Sequence, residues 1–364
     1  MPDSTPAASA PRLDDDDDDD DDDISRATRP SSVLSQSHDA SVLLLDIPAS
    51  LEEAQVLPGH PPPWRLLSAP PPTEPFALPE PRHASSAHDY LAASRSPASH
   101  VAELMASAAA RGALDHLSRH HAGPYCLERR LAAPGESGPG RPGPGPEPED
   151  TIPLPPGAEA LQGSIQETRQ AFLDRAPHFR LILLDPPWPN RSVRRKTDAY
   201  TTAANMAEMR SLLSSIPVPL HLADDGLVAV WITNKPAVLD LLTAPTGLFA
   251  SWGLELVAEW TWLKITASGE PLFDLDSAWR KPWERLLIAR RAGAKTPPAL
   301  GDKVVVAVPD AHSRKPCLRG QFQAILGEGF PALEVFARSL TAGWWSWGNE
   351  VLHFQNSRHW VPAE

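Results

Sequence analysis

Cysteine is almost absent. Two thiols, Cys126 and Cys317, stand far apart in 364 residues, with no CxxC pair and no Cys/His ligand spacing near either, so neither a disulfide framework nor a structural metal site is expected. Long apolar stretches are missing too. Runs such as 42–45 and 181–184 fall far short of the ~20 residues a bilayer span needs, and no membrane association is expected. The first residues are Pro, Asp, Ser and Thr followed by an acidic run, the reverse of a basic segment leading into an apolar one, so no secretory signal is read. No GxGxxG loop precedes an apolar run either, which removes the usual dinucleotide fingerprint.

What is present divides the chain in two. Of 42 Pro, 26 lie in residues 1–164, whereas 11 of the 12 Trp lie in 165–364. Charge follows the same border: the second part is net +2 and the first net −15, ten of those charges forming one aspartate run at 14–23. Such a run is read as a solvated spacer, with a regulatory tail as the alternative. Residues 1–40 hold too few apolar groups to offset ordering entropy and are expected to be a disordered acidic tail. An accessory module is read over 41–132, with a short buried strand at 41–48 and a helix over 100–120, the module leaning on the second part of the chain. His120 and His121 fit a polar helix end better than a metal site, since no further ligand follows at fixed spacing. Residues 133–157 are a Pro/Gly-rich linker.

Residues 158–364 have a different texture. Apolar runs at 179–184, 227–232, 256–262, 285–289, 303–308 and 333–337 alternate with helical spacing at 206–216, 236–242 and 321–326. Runs of this kind suit strands buried on both faces, and their alternation with helices predicts an α/β layered sheet. Ligands in such sheets bind beyond the carboxyl ends of strands, so the residues that follow each run matter most. The first run stops at Asp185-Pro186-Pro187-Trp188. An adenine amino group is a poor nucleophile because its lone pair is delocalised into the ring. Acceptors that hold both N–H bonds favour a tetrahedral, reactive nitrogen. Asp185 and the Pro186 carbonyl are two such acceptors, the prolines fix φ and remove donors, and Trp188 offers a face for a base taken out of its stack. A Pro-rich turn is the competing reading, but an Asp-Pro-Pro-aromatic match arises by chance in well under ~1% of chains this size.

With these residues the chain resembles the MT-A type N6-adenine methyltransferases, and most closely their methyltransferase-like four branch. The resemblance spans 177–355 through LLDPPWPNRSVRR, VWITNKP, VAEWTWLKITASGEPLFDLDS, KPWERLLIAR, HSRKP and LEVFARSLTAGWWSWGNEVLHFQ, in one order. It implies a Rossmann-like sheet in permuted order, with the DPPW segment ahead of the cofactor strands, and S-adenosylmethionine as methyl donor. It also implies roles. Asp185 and the Pro186 carbonyl would accept the target amino protons, Asp185 would also lie near the donor's methionine amino group, and Trp188 would stack on the base. Lys315 would face the cofactor; Phe336, Arg338, Asn349 and Glu350 would hold its ribose and adenine. Phe336 is equally readable as core, Glu350 as a surface charge and Asn349 as a turn residue. Two departures stand out: where the family often has Asp-Ile to read the cofactor adenine, this chain has Ser164-Ile165, and Leu340 replaces a histidine of the mRNA enzymes, as in the four branch.

Arg191, Arg194, Arg195 and Lys196 follow the motif closely and suit phosphate contacts, a solvated loop being the alternative. Tyr200 matches the family's gating tyrosine. Lys281 and Glu284 are read either as lining the target pocket or as a mutual i,i+3 salt pair. Trp344, Trp345 and Trp347 are read as packing. The function implied is N6-methylation of adenine in DNA or small nuclear RNA by a chain active as a monomer, with a catalytically silent nucleic-acid-binding scaffold as the alternative. A nuclear location follows from that substrate class alone, with cytoplasm or mitochondrion left open.

Overall fold

The computed structural model describes residues 31–77, 97–132, 151–189, 205–277 and 280–363. The aspartate run, the Pro/Gly repeat, Tyr200 and the four cations at 191–196 lie outside them. No described helix is long and apolar enough to cross a membrane.

In chain order the strands are β1 Val33–Gln36, β2 Val42–Leu45, β3 Trp64–Ser68, β4 Arg130–Leu131, β5 Glu159–Gln162, β6 Phe179–Leu184, β7 Leu222–Ile232, β8 Leu254–Lys264, β9 Trp283–Arg291, β10 Lys303–Ala307, β11 Ala332–Val335, β12 Trp344–Gly348 and β13 Trp360–Pro362. The helices are α1 Ile47–Glu53, α2 Pro97–His120, α3 Ile165–Arg175, α4 Met206–Ser214, α5 Val218–His221, α6 Pro236–Thr243, α7 Leu248–Ser251 and α8 Arg319–Leu326.

Ten strands form one sheet in the order β1-β2-β10-β8-β9-β7-β6-β11-β12-β5. Every neighbouring pair is parallel except β1 with β2 and β9 with β7 and β8. The carboxyl ends of β5, β6, β7, β8, β10, β11 and β12 therefore share one edge, and the amino end of the reversed β9 joins them there. Among the central strands β9 is the exception, running against both of its neighbours. Its apolar run is buried on both faces like the others, and a run of that kind carries no sign of direction.

Period-two alternation splits the core. Ile182, Leu184, Val228, Val230 and Ile232 pack on one face with α3, α4, α6 and α7, while Leu181, Leu183, Leu227, Ala229 and Trp231 pack on the other with α1 and α8. A third cluster seats α2 by Ala106, Ala110, Ala113 and Leu117 against Val42, Leu44, Val304 and Val306. The early residues are thus built into the sheet: β2 pairs with β10, and β3 pairs with both β13 and β4. A tail without regular structure to residue 40 is corrected as well, because β1 lies within it. Val33 and Leu34 pack on these cores, and the Asp39 carboxylate closes the β1–β2 turn by accepting from Ser37 Oγ, Ser41 Oγ and Ser41 N. Those three bonds hold Asp39 down at about 2.

Candidate active site

Asp185 leaves the end of β6, between β7 and β11, where strands whose continuations diverge open a crevice. Its backbone N–H donates to Val335 O at 3.2 Å. Pro186, Pro187 and Pro189 bring no N–H, and that of Trp188 is spent on the Pro186 carbonyl at 2.8 Å. The loop therefore presents acceptors and no donor, and one lone pair of the Pro186 oxygen stays available.

Trp188 takes a different position from the one expected. It is 7% exposed, belongs to the core beside Val230 and Ile232, and its Nε1 donates to Trp231 O at 2.8 Å. An indole whose N–H finds a buried carbonyl gains more from that bond and its apolar burial than from an open face. The side chain consequently fastens the loop to β7 instead of waiting to stack. Lys235, just past β7, reaches back to the Pro189 carbonyl, and Asn234 Nδ2 donates to Trp283 O at 2.7 Å.

Around Asp185 the carboxylates and ammonium groups converge. Lys315 Nζ lies 2.9 and 3.0 Å from the two Asp185 oxygens and 3.3 Å from Glu284 Oε2. Glu284 in turn takes Lys264 at 2.5 Å, whose ammonium lies over the Trp262 ring. Burial alone would raise Glu284, but Lys315 and Lys264 outweigh it and hold it at about 2. Burial would likewise lower Lys315, yet Asp185 and Glu284 carry it well above the usual lysine range. Lys315 is a fixed cation. Glu334 of β11 faces the same small cavity as Asp185, Lys315 and Phe336.

Glu284 and Lys281 do not form the i,i+3 pair. Lys281 pairs with Glu103 of α2 at 2.7 Å and packs over Trp283, so it braces the 265–282 loop against the helix and stays out of the Asp185 cluster. The same loop is held by Phe76 N to Leu272 O at 2.9 Å and Ala267 N to Pro72 O at 2.7 Å.

The predicted cofactor residues gather at the neighbouring strand ends. Phe336 follows β11 with φ 62°, a left-handed conformation costly for an aromatic residue. Its N–H donates to Trp347 O at 2.7 Å, and Gly348 lies so close that a Cβ there would sit 3.1 Å from Phe336 Cα. Glycine at 348 is what lets the two chain ends meet. Arg338 Nε donates to Glu350 Oε2 at 3.0 Å, and Asn349 is exposed beside them. Ser164 caps α3 in a capping box with Glu167, so its hydroxyl serves the helix, while Ile165 is a 2% exposed core residue. Both stand at the end of β5 next to Gly348, through Gly163 N to Gly348 O at 3.1 Å.

Lys264, Glu334, Asn234, Lys235 and Trp231 were missed from the sequence. Their common signal was position at the site end of β7, β8 or β11. Among the described residues no group of His, Cys, Asp and Glu could hold a metal ion.

The MT-A70 family description matches residues 179–350. The chain is 49% identical to a Cryphonectria parasitica protein named N6-methyladenosine RNA methyltransferase MTA1, over 91% of this chain and 95% of that one. A protein of the same name from Pyricularia oryzae is 45% identical over 92% and 97%. The Homo sapiens N(6)-adenine-specific methyltransferase METTL4 is 36% identical over 58% of this chain and 45% of its own length.

Proposed function

The chain belongs to the MT-A70 family of S-adenosylmethionine-dependent N6-adenine methyltransferases, and from that premise we propose that it methylates the N6 amino group of adenosine in RNA, acting as a single chain. The observation that carries the reading is the donor-free loop at the end of β6. Asp185 is fixed by Lys315, and the free lone pair of Pro186 lies one residue on, so two acceptors stand ready for the two protons of an exocyclic amine. Positioning of that amine is what the protein adds; the cofactor, when bound, supplies an electrophilic methyl group on a sulfonium.

The residues suit that cofactor. Asp185 and Glu334 are acidic groups for the ammonium of its amino-acid end, Lys315 holds Asp185 in place beside it, and Arg338, Asn349 and Glu350 are polar partners for ribose and adenine at the adjoining strand ends. RNA is favoured because the two relatives that match almost end to end carry RNA in their names. Action as a single chain is supported by the early residues: β1 and β2 extend the sheet beyond β10, and α2 with residues 72–76 braces the 265–282 loop. A silent scaffold is not favoured, since Asp185 is present and held in place.

Purified protein is incubated with S-adenosylmethionine and matched RNA and DNA oligonucleotides, and nucleosides are analysed by mass spectrometry beside Asp185→Ala. N6-methyladenosine in RNA alone, absent from the variant, is expected. Product in DNA alone overturns the RNA assignment. Product retained by Asp185→Ala removes the catalytic one, and none in either polymer overturns action as a single chain.

A further inference from the structure

The Asp185 cavity has an excess of acid. Asp185, Glu284 and Glu334 stand around Lys315 and Lys264, three carboxyl groups to two ammonium groups, while Arg338 and Glu350 pair with each other beside them. Lys315 is committed to Asp185 and Glu284, and Lys264 to Glu284. Glu334 is the group left over. Among the described residues no hydrogen bond or ion pair reaches its carboxyl. It pairs in register with Leu183 of β6 and Ser346 of β12, and the Ser346 hydroxyl is buried without a partner. Period two puts Glu334, Leu183 and Asp185 on one face of the sheet, the face on which the cavity opens.

We propose that Glu334 is a second carboxyl for the cofactor's amino-acid end, that it takes the α-ammonium jointly with Asp185, and that it releases a proton to solvent as the cofactor binds. The inference rests on Asp185 lying at that end of the cofactor. The ammonium supplies a positive charge and a hydrogen-bond donor together, so the Glu334 carboxyl gains both only in the complex. In the free protein burial, and then the charge of Asp185, push Glu334 up to about 8 against the partial relief of Lys315, which leaves it mostly protonated at neutral pH. The other titratable group facing it, the Cys317 thiol, is pushed further up by its own burial and holds its proton throughout.

The test uses the full chain and S-adenosylhomocysteine, whose α-ammonium is intact, in isothermal titration calorimetry with buffers of different ionisation enthalpy. Release of about 0.9 proton at pH 7 is expected, with Kd falling about ninefold from pH 6 to pH 7. Glu334→Gln, a neutral mimic of the protonated side chain, should abolish the release and flatten Kd over that range, whereas Cys317→Ser should leave both unchanged. Tight binding without proton release overturns the role of Glu334 while leaving the cofactor site in place, as does release that persists in Glu334→Gln. An absence of binding to the wild-type chain overturns the cofactor-end reading itself, and the proposal with it.

Discussion

Replacing Lys315 by Gln removes the cation at the centre of the site, and its cost can be worked from one neighbour. Glu284 titrates at about 2 in the folded chain against an ordinary 4.5, a difference that corresponds to roughly 3 kcal/mol of folding stability at pH 7. Two ammonium groups produce it against the cost of burial, the charge of Lys315 first and that of Lys264 next, and both lie in a cluster less than a third exposed. Lys315→Gln should therefore cost about 2 kcal/mol at pH 7. The sign is set by the lowered value: stability is complete above pH 4.5 and is lost as pH falls toward 2, so the deficit should shrink to about 1 kcal/mol at pH 3. Urea unfolding of both proteins at pH 7 and pH 3 measures this directly. A deficit equal at the two pH values, or below about 0.5 kcal/mol at pH 7, would refute the view that Lys315 is held there by charge.

Trp188→Phe leaves the Trp231 carbonyl buried and unpaired, and should cost about 1–3 kcal/mol by denaturant unfolding while cofactor binding is retained; an unchanged midpoint would show that the indole bond carries no load. Changing Arg194, Arg195 and Lys196 together to Ala should weaken RNA binding and lower the slope of log K against log salt by about 2, at ~0.7 for each lost phosphate contact. An unaltered slope would return that loop to solvent.

Much of the catalytic segment could be read in advance because its chemistry is local. β6 matches its apolar run from Phe179 to Leu184, and the four residues after it already specify a donor-free loop. β7, β8 and β9 extend their runs by a few residues without moving them. The reversal of β9 was hidden, because direction is set by neighbours far away in sequence. β12 was hidden for a different reason: three tryptophans in five residues read as packing, and Trp347 does stack on Phe172 at 4.2 Å, but the backbone beneath them forms a ladder with β5 and β11. Trp188 shows the limit for side chains. Its identity was informative and its orientation was not, since that depended on a carbonyl 43 residues later. Glu334 escaped notice because a single acid between Leu333 and Val335 carries no pattern until Asp185 is seen beside it.

The pairing of β2 with β10 joins residues 42–45 to 303–307, and β3 waits still longer for β13. On a ribosome adding ~5–20 residues per second, Leu43 and Leu44 emerge at least about ten seconds before the strand that will cover them. In that interval the nascent chain offers a naked hydrophobic edge that no local folding can satisfy, and the sheet can close only after residues 303–307 have been made. Newly made protein should accordingly depend on holding chaperones. The catalytic half, expressed without residues 31–77, should collect in aggregates, because it would expose β10 as an open strand for its own copies to extend.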